Sequence, residues 1–243
     1  MRLDKFALAL CGLVASGAAL AQPSSVTIYG VLDLGVAKYN NGTSFLNGLP
    51  VGLTGRPDTW NLRPSTSNRI GFRGSEDLGG GLRANFSIEH RLDPSAGTEQ
   101  SGQNGMWRGH SWVGLSSPTL GELRLGRQQN AALFVAQKGD PWNWDYNVGS
   151  VQVINRAGNA ATYTANLVSY TTPNFSGLTV KAEMGLGEGG TDPLGNANRT
   201  VGANVQYTKG PLYAGLGYND IRVSNSPVKN RYWVATLNYD FKF

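Results

Sequence analysis

From Val26 onward the chain alternates. Val26, Ile28, Leu32, Leu34 and Val36 fall on one parity, Thr27, Tyr29, Asp33 and Gly35 on the other, and a period of two predicts a strand with one apolar and one polar face. The pattern returns at Leu82, Ala84, Phe86 and Ile88 against Arg83, Asn85, Ser87 and Glu89. Segments 60–76, 105–116, 120–128, 162–172, 177–186, 198–209, 211–222 and 230–243 read in the same way, so about ten strands are predicted. In the last of them Trp233, Ala235, Leu237, Tyr239, Phe241 and Phe243 share one parity.

The connections alternate in length. Asp77–Gly81, Ser116–Thr119, Pro173–Ser176 and Lys209–Pro211 are short turns, whereas 40–59, 90–104, 129–161, 187–197 and 223–229 are longer. Short turns on one rim and long loops on the other are expected of a membrane-spanning antiparallel barrel. Lipid accepts no unpaired backbone donors, so a closed sheet is required, and a wet interior accommodates the polar alternate residues. A soluble sandwich with one solvated face would carry the same alternation, but two charges on a single strand face, as at Arg83 and Glu89, are hard to bury there. Tyr29, Trp107, Tyr170, Tyr207, Tyr213, Tyr218 and Trp233 fall near predicted strand ends, where an interfacial aromatic belt would place them.

Composition agrees with an all-β chain. Gly accounts for 33 of 243 residues, about twice the usual ~7%. Only 15% of residues are charged, against ~25% in an average soluble domain. The exception to the strand pattern is the N-terminus, where a charged start, Met1–Lys5, leads into an apolar run from Phe6 to Leu20 and closes on Ala19-Leu20-Ala21. This predicts a signal peptide over 1–21 and a barrel domain over 22–243. Leu10 before Cys11 argues against a lipid-anchor signal, and cleavage leaves no cysteine. Without Arg2, Lys5 and Asp4 the balance falls from 21 basic and 16 acidic residues to 19 and 15, too mild and scattered for a nucleic-acid partner.

The segment Arg69-Ile70-Gly71-Phe72-Arg73-Gly74-Ser75-Glu76-Asp77-Leu78-Gly79-Gly80-Gly81-Leu82 resembles the general diffusion porins of Gram-negative outer membranes, particularly the betaproteobacterial kind. The likeness extends through Val26–Gly30, Val113–Ser117, Leu125–Gln128 and Tyr170–Leu178 in the family's order. It implies a homotrimer of sixteen-stranded barrels, passing ions and small hydrophilic solutes passively through the outer-membrane lipid, with the third long loop folded into the lumen. By motif it places Arg69 and Arg127 on the pore wall; parity adds Arg73 and Arg124 as neighbours. Arg127 shares the lipid-facing parity of Leu123 and Leu125, so an inward position requires a bulge or strand end there. The stretch Asn130–Asn159 occupies the place of the inward loop, making Asp140 and Asp145 the candidate acids of the constriction. Ten strands are fewer than sixteen, and both a shortened barrel and a porin ended early fit that count.

Other chemistries find little support. A hydrolase would need His90 or His110, yet Ser111 takes the parity opposite to His110 and there is no Gly-x-Ser-x-Gly elbow. Gly185-Leu186-Gly187-Glu188-Gly189-Gly190 matches a nucleotide-loop spacing but leads into Thr191-Asp192-Pro193, not a helix. No cofactor, metal or catalytic residue is expected. A surface protein using the barrel only as an anchor is the remaining alternative to a channel.

Overall fold

A computed structural model describes residues 25–38, 43–46, 49–52, 60–64, 66–100, 105–141, 163–187, 199–222 and 229–242. In chain order the strands are β1 (Ser25–Val31), β2 (Gly35–Lys38), β3 (Thr43–Leu46), β4 (Leu49–Gly52), β5 (Trp60–Arg63), β6 (Arg69–Gly79), β7 (Leu82–Asp93), β8 (Thr98–Glu99), β9 (Ser111–Ser117), β10 (Gly121–Gln129), β11 (Tyr163–Thr171), β12 (Leu178–Gly185), β13 (Thr200–Lys209), β14 (Leu212–Arg222) and β15 (Lys229–Tyr239). One helix, α1 (Ala131–Gly139), lies between β10 and β11. The main sheet runs β1-β6-β7-β9-β10-β11-β12-β13-β14-β15, with β8 hooked onto β7, while β2 pairs β5 and β3 pairs β4. Every pairing along this path is antiparallel.

The path holds ten strands, but two predicted strands are broken. The run from Val26 to Val36 stops at Val31, and 60–76 divides into β5 and β6. The interruptions interlock: the Asp33 carboxylate accepts the Thr66 N–H at 3.0 Å, Asn68 Nδ2 donates to the Asp33 carbonyl at 3.0 Å, and Asn68 Oδ1 accepts the Asp33 N–H. Side-chain amides that satisfy backbone groups in this way compete with the strand ladder. At the other rim the β6–β7 turn runs through Gly79, Gly80 and Gly81 at φ +85°, +61° and +80°; three left-handed residues in succession are open to glycine at little cost.

Register gives the sheet two chemically distinct faces. On one, Val26, Gly74, Phe86, Val113, Leu125, Val168, Met184 and Val201 follow one another across eight strands, and most of the large side chains along this row are exposed. On the other, Ser75, Asn85, Gly114, Arg124, Ser169, Glu183, Gly202 and Asn219 do the same. Glu89, Ser169, Glu183, Asn204 and Asn219 on this polar face are buried. Apolar outside and polar inside inverts the soluble arrangement and suits a wall between lipid and a hydrated interior. Tyr29 and Tyr213 depart from the expected belt because they point inward. Glycines explain both: a Cβ at Gly71 would lie 2.5 Å from the Tyr29 ring, and one at Gly215 2.7 Å from the Tyr213 hydroxyl, so each ring occupies space that only glycine leaves open.

Among the described residues the buried apolar core is small: Ala131, Ala132, Leu133, Val135 and Ala136 of α1, with Leu167 and Ile221. The helix lies on the polar face of β12–β15. A Cβ at Gly217 would fall 2.6 Å from the Ala132 Cα, and one at Gly139 2.1 Å from Thr236 Cγ2. Backbone and helix touch through these gaps.

Candidate pore lining

The inner ends of β1, β6 and β7 assemble the first cluster. Tyr29 donates its hydroxyl to Glu89 Oε2 at 3.1 Å, Arg69 Nε lies 3.7 Å from the same oxygen, and Arg91 Nη2 stands 2.6 Å from Oε1. The Glu89 side chain is only 4% exposed. A carboxylate buried to that degree needs the two guanidinium groups to offset its desolvation, and two cations against one anion leave an excess of positive charge on the wall. Arg91 also donates to the Tyr163 hydroxyl at 2.9 Å, which carries the network across to β11.

Arg127 reaches the same tyrosine. The β10–β11 register slips between Gly126 and Gln128, with Gly126 at φ +123°, a bulge on the β11 side, while on the β9 side Arg127 stays in register opposite Ser111. Its guanidinium stands 5.9 Å from the Tyr163 ring centre, and its Nε donates to the Arg108 carbonyl at 2.9 Å. The His110 ring meets Tyr163 edge-on at 5.0 Å. Arg73 is exposed on the inner face, 5.3 Å over the Tyr29 ring. Arg124 pairs with Glu122 at 2.8 Å and stacks over Trp112 at 4.1 Å. Arg69 and Arg127 are thereby linked through Glu89, Arg91 and Tyr163, Arg73 touches that network through the Tyr29 ring, and Arg124 pairs separately with Glu122 and Trp112.

The second cluster anchors α1. Its first N–H groups have no cap from the Asn130 side chain. Instead Ala131 N–H donates to Glu183 Oε1 and Ala132 N–H to Asn219 Oδ1, both at 2.8 Å, and Asn219 Nδ2 donates to the same Glu183 oxygen at 2.8 Å. Lys181 Nζ lies 2.9 Å from Glu183 Oε2. A carboxylate at a helix N-terminus satisfies orphan donors and complements the helix dipole. At the far end Asn238 donates to the Lys138 carbonyl at 3.0 Å. Asp140 follows directly, buried, its N–H donating to the Gln137 carbonyl at 3.2 Å; Asp145 and residues 1–21 lie outside the described residues.

Residues 7–243 match the Gram-negative porin family model. The chain belongs to the Gram-negative porin family. This porin chain is 36% identical over 230 residues to outer membrane porin protein 32 of Delftia acidovorans, covering 88% of itself and 59% of that protein. An outer membrane porin protein of Bordetella pertussis is 29% identical, with 92% and 61% covered. The chain thus spans about three fifths of the length of these relatives. Among solved structures, an anion-selective porin from Comamonas acidovorans superposes with TM-score 0.71 at 28% identity, covering 90% of this chain and 65% of that one. Salmonella typhi OmpF, at TM-score 0.62 and 14% identity, shares the fold. The chain is an outer-membrane β-barrel protein.

Sequence reasoning missed Glu89 as a partner, Arg91, Tyr163, Lys181 and Glu183. Arg91 was within reach, since the parity of Arg83, Asn85, Ser87 and Glu89 continues to it once β7 is followed to Asp93. Lys181 and Glu183 likewise take the polar parity of β12. His110 is surrounded by Tyr163, Glu89 and Arg91, and Ser111 lies opposite Ile88 on the other face. Among the described residues no three His, Cys, Asp or Glu could share a metal.

Proposed function

We propose that the chain forms the wall and constriction of a water-filled channel for passive diffusion of ions and small hydrophilic solutes. The observation that carries this is the single polar face, lined by Arg69, Arg73, Arg91, Arg124 and Lys181 against Glu89, Glu122 and Glu183, with α1 laid upon it. Fixed charges along a narrow hydrated path set barrier heights for ions without a covalent step. The excess of cations supports a preference for anions, and the likeness to a solved porin titled anion-selective supports it too. In this reading residues 1–21 are a cleaved signal peptide, Asp140 and Asp145 supply the acidic side of the constriction, and the assembly is a homotrimer.

The test is conductance in planar bilayers under a salt gradient. Stepwise currents with a reversal potential on the anion side are expected from the parent. Arg69→Glu with Arg127→Glu is expected to move that potential toward cation preference; an unmoved potential removes both residues from the constriction. A protease-protected chain without current would replace the channel with an anchor.

A further inference from the structure

The outward face of β1, β6, β7, β9 and β10 is unevenly filled. Gly74 contributes no side chain and Ala84 only a methyl, and a Cβ at Gly74 would strike the Phe86 ring. With Val26, Val113 and Leu125 they line a groove of about 600 Å³ on the lipid side. One lining residue is out of keeping with these apolar neighbours. Glu76 takes the outward parity of Ile70 and Leu78, is exposed, and borders the same groove. Among the described residues no cation pairs with it; Arg83, on the inner parity of the next strand, is 3.6 Å from Asp77 instead.

Two observations set the height of this carboxylate. The row through Glu76 runs along Ala84, Leu115 and Leu123 to Tyr170, and the Tyr170 hydroxyl donates to the Leu120 carbonyl of the β9–β10 turn at 2.7 Å. Glu76 also lies three residues before Gly79, about 8 Å from the short-turn rim at ~3.4 Å per residue and a tilt of ~40°. Tyrosines of such barrels sit where acyl chains give way to headgroups. The row of Val26, Gly74, Phe86, Val113 and Leu125 lies two residues further along the strands, so the groove extends from the carboxylate toward the membrane centre.

We propose that Glu76 and the groove beside it form an outward-facing site for a phospholipid whose headgroup ends in a primary ammonium, with one acyl chain laid along Gly74 and Ala84. A carboxylate turned toward lipid without a partner is costly, and an ammonium offers it charge-assisted hydrogen bonds. A quaternary ammonium has no N–H to donate, and an anionic headgroup is repelled, so the site selects by headgroup. It stands on the opposite face of the wall from the arginines and takes no part in the proposed channel.

The full chain, folded in detergent micelles and checked for sheet by circular dichroism, is mixed with phosphatidylethanolamine, phosphatidylcholine and phosphatidylglycerol of the same acyl chains. Retained lipid is counted by native mass spectrometry. The parent is expected to retain the ethanolamine lipid about fivefold better than the choline lipid, the scale of one exposed ion pair. Glu76→Gln is expected to bring that ratio to one and Glu76→Asp to keep part of it. Ala84→Leu, which fills the groove, is expected to lower retention of all three lipids, and Asp240→Asn, beyond the end of β15, to leave retention and ratio as in the parent. Equal retention of ethanolamine and choline lipids by the parent overturns the proposal. So does a preference that survives in Glu76→Gln, an equal loss in Asp240→Asn, or retention unmoved by Ala84→Leu. Lipid-free oligomers that Ala84→Leu takes apart would overturn it too, by giving the groove to a second copy of the chain.

Discussion

Glu183 is a residue whose two carboxylate oxygens perform different tasks. Oε1 receives the first N–H of α1 and the Asn219 amide, while Oε2 faces Lys181. Glu183→Leu removes the acceptor of one helix N–H and of the Asn219 amide and takes the carboxylate from Lys181, and a lost bond to a charged group costs about 1.5–3 kcal/mol. The expected result is a chain that still forms its sheet but shows a lower midpoint in urea and noisier single-channel current, since the start of the inward helix is no longer held. Glu183→Gln, which keeps an acceptor, is expected to fall between. An unchanged midpoint in Glu183→Leu would show that the contact adds nothing. Glu183 takes the polar parity of its strand and was legible to that extent; its role was not. The partners it holds are 52 residues and 36 residues away in sequence, and no local pattern encodes that meeting.

At the scale of elements, alternation revealed the ten strands of the main path because each strand must present lipid and water with opposite faces. It failed where a side chain replaced a ladder bond, as at Asp33 and Asn68, and where a strand depends on a bulge, as at Gly126. The helix escaped it altogether. Ala131–Gly139 is short, and its seat is made by glycines of β14 some eighty residues later. That seat gives a test. Gly217→Val puts branched carbon where the Ala132 backbone lies 2.6 Å from a bare Cβ, and overpacking of this kind costs about 1–3 kcal/mol. The helix is expected to lift from the wall, seen as new protease cleavage near residue 140 and an altered single-channel conductance. Cleavage and conductance like those of the parent would mean that the wall yields instead.

For the whole molecule, the organising fact is the sign of each face. Leu216 lies on the outer face between the Trp233 and Tyr239 rows, so Leu216→Arg is expected to destabilise the membrane-inserted state by about 2–4 kcal/mol. Thr208→Arg, exposed on the inner face opposite Tyr213, is expected to leave stability within about 0.5 kcal/mol and to increase anion preference. Unfolding from lipid vesicles measures the first quantity and reversal potential the second. Equal costs for the two would contradict the assignment of faces.

The division of labour between the two inner clusters has a further consequence. The wall arginines stand on β6, β7 and β10, whereas the helix laid on the inner face is fastened to β12, β13, β14 and β15, with the Lys181–Glu183 pair of β12 at its start. In the proposed channel, bore and arginine charge are therefore written in largely separate stretches of sequence. Enlarging or shrinking side chains on the free side of α1 would change the size of solute admitted while leaving ionic preference in place, and exchanging wall arginines would do the reverse. Were the proposed channel to be tuned to a new nutrient or toxin, either axis would be open with little disturbance of the other.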